Sequence, residues 1–393
     1  MLFARKQKCL YSNDGKFNNC ATKPERKGRV QCFGTMRRGF GANGYGERLM
    51  SVVGDYFQKY RTRLSFWYRH TFRLQNAAYR AGRKMRRIAG LADGARLKGV
   101  PAVVPYYGDH RLLDWFLAYY RRLGVEHFIF LDLGAERDLH ERLPEAADCT
   151  IWRPEGFMHP SNTIHALNFL RRRYGMDKWV LSVGPFDLFV FPKSETRHIR
   201  DLIDFIESEQ RDHVAALVID VYGERPAREM EYEPGKSPLA LLPFFDKFGY
   251  QTTDAQANLV VPIYGGVQRR ALYGDEPRMA PPLNRIPLVK WTKECFYTAS
   301  TRHLVPHKLN TPHSDWHSTT TACLLRFAML GDEHALHIAK QAEGGQLYPD
   351  HVTTLYPGST RMAEMWLVNQ NSGRYESTQD LLSVGLLNNG QWF

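Results

Sequence analysis

Between Met50 and Ile88 apolar side chains recur in steps of three and four, through Phe57, Leu64, Trp67, Leu74, Ala78, Ala81 and Met85. That spacing keeps one face of a helix apolar and predicts a single long amphipathic helix. From Pro101 the pattern alternates between short apolar runs and helical segments. "PAVVPYY", "VEHFIFLD", "KWVLSVGPFDLFVFP" and "HVAALVIDVYG" read as strands, and Leu112–Leu123, His165–Tyr174 and Arg197–Glu209 read as helices. Strands separated by single helices predict βαβ units, a mostly parallel sheet, and a ligand site beyond the carboxyl ends of its strands. Residues 224–300 are broken by prolines and read as loops that form a rim. Residues 319–341 read as a further helical passage.

Charge changes the picture at the N-terminus. The 393 residues carry 53 Lys and Arg against 41 Asp and Glu, a net +12, and 23 of those bases but only 5 of those acids lie in residues 1–98. Three segments follow: a basic tail without periodicity over 1–46, a basic amphipathic helical arm over 47–98, and a folded α/β domain over 99–393. A basic helix with Phe, Tyr and Trp on or beside its apolar stripe suits an anionic membrane interface. The same pattern also suits a helix packed on the body or in a coiled coil. Nucleic acid is not the expected partner, because no zinc finger, helix-turn-helix signature or RNP-type stacking motif accompanies the charge.

Composition otherwise excludes several classes. With 43% hydrophobic and 24% charged residues the chain is neither disordered throughout nor fibrous. Its six cysteines are scattered without a CxxC pair, which predicts reduced thiols and a cytoplasmic protein rather than a disulfide scaffold. No apolar run is long enough to span a bilayer and no secretory signal is visible, so any membrane association would be peripheral, at the inner face.

The segment "YGDHRLLDWFLAYYRRLGVEHFIFLD" resembles the opening of the nucleotide-sugar-binding domain in bacterial family 2-like glycosyltransferases, a group also similar to family 92. Asp114 and Trp115 match the family's Glu-Trp, Leu123–Val125 its Leu-Gly-Val, and Asp132 its strand-ending Asp. "KWVLSVGPFDLFVFP", "RIPLVKW" (Arg285–Trp291), "LLRFAML" (Leu324–Leu330) and "NSGRYESTQDLL" (Asn371–Leu382) resemble later blocks in the same order. The resemblance covers about residue 100 to the end. It implies a GT-A-like, Rossmann-related sheet flanked by helices, a nucleotide-sugar donor, and a surface-glycan or lipid-linked acceptor.

Carried over residue by residue, the family's Asp-x-Asp becomes Gly184-Pro185-Phe186, followed by Asp187, and the His of a later block becomes Arg326. Gly and Phe cannot supply the hard oxygen ligands of a divalent Mn or Mg ion. The resemblance therefore does not carry that cofactor over. Two readings follow. In one, transfer is metal-independent and Arg326 stabilises the departing diphosphate; in the other, the domain is a catalytically silent binding or scaffold subunit. The candidate catalytic residues are Asp187, Arg326 and Asp315, the last as a base for the acceptor hydroxyl. The candidate donor-binding residues are Asp109, Asp132, Gly184, Phe186 and His303.

Overall fold

The computed structural model describes residues 70–91, 97–134, 138–143, 147–156, 158–253, 260–274, 280–298, 300–313, 319–330 and 362–393. Nine strands form one sheet: β1 (Met85–Ala89), β2 (Val100–Tyr106), β3 (Val125–Asp132), β4 (Cys149–Pro154), β5 (Lys178–Ser182), β6 (Asp187–Val190), β7 (His213–Asp220), β8 (Asn284–Trp291) and β9 (Ala322–Arg326). Their spatial order is β1-β4-β3-β2-β5-β8-β7-β9-β6. β4, β3, β2 and β5 are mutually parallel, β7 and β9 share their direction, and β1, β8 and β6 run against them. This is the mixed, mostly parallel α/β sheet flanked by helices that the βαβ pattern predicts.

The strands form because both faces of the sheet are covered. Phe128 and Phe130 of β3 face one apolar cluster, whereas Ile129 and Leu131 face the other. That two-residue alternation with both sides buried explains the near-continuous apolar runs in the sequence. Helix α2 (Leu113–Leu123) buries Leu113, Phe116, Leu117, Tyr120 and Leu123, the i, i+3, i+4, i+7 stripe of an amphipathic helix. It ends at Gly124, whose φ of 98° is left-handed and whose N–H returns to the Arg121 carbonyl. Helices α3 (Pro160–Gly175) and α4 (Ile199–Ser208) cover the sheet between β4 and β5 and between β6 and β7.

Three sequence readings are corrected. Residues 319–341 read as helical, yet 322–326 form β9, buried between β7 and β6. "ACLLR" is too short and too uniformly apolar to show any period, so helix and buried strand look alike. The long stripe ending at Ile88 is helical only over 70–82 among the described residues, here α1, and then turns into the edge strand β1. The proline-broken stretch contains β8, a central strand. Its register with β7 shifts between Arg285 and Leu288, an irregularity that accommodates Pro287 inside a sheet. The tail over 1–46, the helical reading over 50–69 and the passage after 330 lie outside the described residues.

At Gly82 α1 meets α3. A Cβ built there would fall 2.4 Å from the Phe169 ring, so only glycine permits this approach. Gly82→Val is expected to cost about 1–3 kcal/mol by overpacking. Urea unfolding should show it as a lowered midpoint with unchanged slope. Among the described residues no helix is long and apolar enough to cross a membrane.

Candidate functional site

The chain runs from β2 to β3 and β4 on one side, then returns through α3 to β5 on the other side of β2. Such a reversal leaves a crevice at the carboxyl ends of the two diverging strands. A small cleft, with about 70 Å³ of interior space below its open mouth, lies there. Tyr107 follows β2; Ser182 closes β5, and Val183 and Gly184 follow it; Asp187 opens β6; Arg285 comes from β8, Arg326 from β9 and Arg171 from α3.

Arginines dominate its chemistry. Arg171 is 1% exposed. Its Nε donates to Ser182 Oγ at 2.9 Å and its guanidinium lies 4.7 Å from the Tyr297 ring centroid and 5.7 Å from that of Trp291. Arg285 is also buried and donates to the carbonyls of Pro282 and Asn284 at 2.9 and 2.8 Å. Among the described residues neither forms an ion pair with a carboxylate. Burial pushes the Arg171 pKa down to about 10, partly opposed by Tyr297. Burial, with Arg302 and Arg326 nearby, pushes that of Arg285 well below its usual range, against Asp187 and Asp220. At Arg171 the shift is a cost of burial alone; at Arg285 the neighbouring Arg302 and Arg326 add to that cost.

The sheet register explains where the acids sit. Arg326 of β9 pairs with Asp220 of β7 on one side and Asp187 of β6 on the other. Its Nε and Nη2 donate to the two Asp220 oxygens at 2.5 and 2.8 Å, a buried bidentate pair. Asp187 Oδ2 accepts the Gly184 N–H at 2.9 Å. Burial raises the Asp187 pKa, opposed by the Gly184 bond and then by Arg326 and Arg285. Asp187 is the single acid among the described side chains lining the cleft. Tyr107 is buried and its hydroxyl has no hydrogen-bond partner among the described residues. Burial raises its pKa, so it remains a neutral donor.

The structure thus brings Gly184, Asp187 and Arg326 together. Phe186 packs into the apolar core while its carbonyl accepts the Phe327 N–H at 2.9 Å. Asp132, at the end of β3, holds Arg153 at 2.7 Å and the Gly134 N–H at 3.2 Å, away from the cleft lining. Asp109 binds Arg111 through its backbone N–H at 3.0 Å and its guanidinium at 2.9 Å. His303 is half-buried on the loop whose Ser300 and Thr301 reach the cleft. Asp315 lies outside the described residues.

Arg171, Arg285 and Tyr107 escaped the sequence reading. For Arg171 a signal existed: Ile164, Leu167 and Arg171 stand at i, i+3 and i+7, so the arginine occupies an apolar phase of α3. A charged residue in such a phase is buried for a reason or faces a cavity. All three line the cleft.

The divalent ion of the resembled family does not fit here. Gly184 offers no side chain, Phe186 faces the core, and the one acid in the lining lies in the field of Arg285 and Arg326. Among the described residues no three His, Cys, Asp or Glu side chains converge on a metal-sized point.

No protein-family profile matches the chain. No curated protein matches it either. Among solved structures it is similar to the crystal structure of 4-diphosphocytidyl-2C-methyl-D-erythritol synthase, at 13% identity over 35% of this chain and 67% of that one, with a TM-score of 0.22.

Proposed function

We propose that this chain is a glycosyltransferase that takes its sugar from a nucleotide-sugar donor, with arginines facing the diphosphate in place of a metal ion. The observation that carries this reading is the buried pair Arg171 and Arg285, held in a switch-point cleft without a carboxylate partner among the described residues. Burying an unpaired cation is costly unless a ligand completes it. A diphosphate brings the missing negative charge, and guanidinium groups engage phosphate oxygens in a planar, two-pronged fashion.

In this mechanism the bond from the anomeric carbon to the diphosphate oxygen breaks and its electron pair stays on the diphosphate. Arg171 and Arg285 stabilise that charge as it develops, in a site with little water to reorganise. The acceptor hydroxyl attacks the anomeric carbon, and its proton passes to Asp187. A carboxylate whose pKa is raised is the better base for that step. Tyr107 donates its unpartnered hydroxyl to a donor oxygen. The acceptor is a surface-glycan or lipid-linked hydroxyl at the cytoplasmic face of the membrane.

The silent-subunit reading draws on Arg326, whose two donors to Asp220 make it a strut between strands. One experiment separates the two: binding and turnover of a nucleotide-sugar panel with and without chelator. Turnover that persists in chelator is expected; a wild-type protein that binds no donor, or one that binds but never releases nucleotide in the presence of acceptor, sinks the enzyme. Asp187→Asn, which keeps an oxygen for the Gly184 N–H, should lower kcat about 10²–10⁴-fold with donor affinity nearly unchanged. Equal kcat in that variant would remove Asp187 from proton transfer.

A further inference from the structure

We infer that a second cleft, separate from the arginine cleft, holds the phosphate headgroup of an anionic phospholipid. It has a volume of about 900 Å³ and lies between α1, the residues after β4 and the first turns of α3. Arg80, Arg83 and Lys84 reach it from α1 and the turn that follows, against a single acid among the described residues, Glu155. Among the described residues none of these three cations forms an ion pair. His165 adds a buried Nδ1 with no hydrogen-bond partner among the described residues. Burial and then the nearby Arg80 lower its pKa, so the ring is neutral near pH 7 and adds no charge of its own. Three cations around one opening, with the His165 ring in its wall, describe a receptor for a phosphate.

The neighbouring surface selects the source of that phosphate. Phe72 and Tyr79 of α1 are 64% and 60% exposed. Seven residues apart, they stand on one line of the helix, with Arg80 about 100° round from Tyr79 on the cleft side. Exposed aromatic rings beside cations are the arrangement that seats a helix at a lipid–water boundary, with rings toward the acyl chains and cations on the headgroups. A phospholipid whose phosphate enters the cleft would lay its chains on this aromatic line. Phosphate supplied free would gain nothing from it. The inference is independent of the nucleotide-sugar reading, since no residue is shared between the two clefts.

The test uses the full chain and calorimetric titration with dihexanoyl phosphatidic acid kept monomeric, so that general attraction of the basic N-terminal segment to a charged bilayer does not contribute. One-to-one binding is expected, weakened about 10-fold or more in Arg80→Ala/Lys84→Ala. Asn162→Asp gives a second variant in which folding is safe. An acid in the first turn of α3 favours the helix, yet it repels a phosphate in the cleft. Phe72→Ser/Tyr79→Ser should weaken the lipid and leave inorganic phosphate unaffected. Inorganic phosphate bound as tightly as the lipid would overturn the lipid source. A short oligonucleotide bound more tightly through the same residues would make the surface a nucleic-acid site. Lipid binding unchanged in Arg80→Ala/Lys84→Ala and Asn162→Asp would place it elsewhere.

Discussion

Replacing Arg171 by methionine is expected to give a protein that is more stable than the parent and no longer holds a diphosphate. The two effects have one cause. Arg171 is buried with Ser182 and Asn168 as its hydrogen-bond partners and, among the described residues, no acid paired with it. Its pKa, pushed down to about 10, measures how poorly the folded environment tolerates its charge. A guanidinium that binds its proton less tightly in the folded than in the unfolded chain opposes folding at every pH below that value. Stability lost this way returns only as pH rises through the folded pKa toward the unfolded one. At neutral pH the opposition is therefore at full strength. Methionine keeps an unbranched, polarizable chain against Trp291 and Tyr297 without a charge. Chemical denaturation should show a gain of about 1–3 kcal/mol. In the same protein kcat/KM for a nucleotide-sugar donor should fall about 10²–10³-fold, the usual effect of removing one preorganised donor from developing charge. A variant that is less stable, with donor binding intact, would make Arg171 a packing residue and remove the main support for the proposed function.

That residue also shows where sequence reasoning stopped. β2, β3, β5 and β7 were legible because their apolar runs are bounded by turns and flanked by helices of the expected length. β4 was not, because Thr150 and Arg153 interrupt the apolar run of "CTIWRP" although all six residues are buried. Thr150 there is satisfied by His127, and Arg153 by Asp132, partners that only the folded sheet supplies. β1 was hidden because Met85 and Ile88 fit a helical stripe as well as a strand. β8 was hidden because Pro287 and its neighbours look like loop until a register shift absorbs them. The same limit holds at the site. Gly184, Asp187 and Arg326 could be singled out because each stands in a motif. Arg285 and Tyr107 stand in none, and their roles arise from which strands end side by side. Asp132 carried the motif but is satisfied by Arg153, another pairing between strands that no spacing within one strand reveals.

The most severe loss of stability is expected at Arg326, and it must be separated from any loss of activity. Arg326 and Asp220 are 106 residues apart in sequence and direct partners across β9 and β7. Both are buried, at 3% and 2% side-chain exposure. Removing the guanidinium alone leaves the Asp220 carboxylate without its bidentate donor in a site that water barely reaches. Arg326→Met should therefore destabilise the fold by about 3–5 kcal/mol. Asp220→Leu added to it removes the stranded charge, and the double variant should recover to within about 1 kcal/mol of the parent or exceed it, because a buried ion pair is often no better than apolar packing of similar volume. Urea denaturation of the four proteins forms a double-mutant cycle whose coupling term isolates the pair. Activity of the restored double variant then decides the second role of Arg326. If donor turnover stays low in a protein as stable as the parent, the guanidinium acts on the substrate as well as on Asp220. If turnover returns with stability, Arg326 only ties β9 to β7, and the diphosphate is left to Arg171 and Arg285.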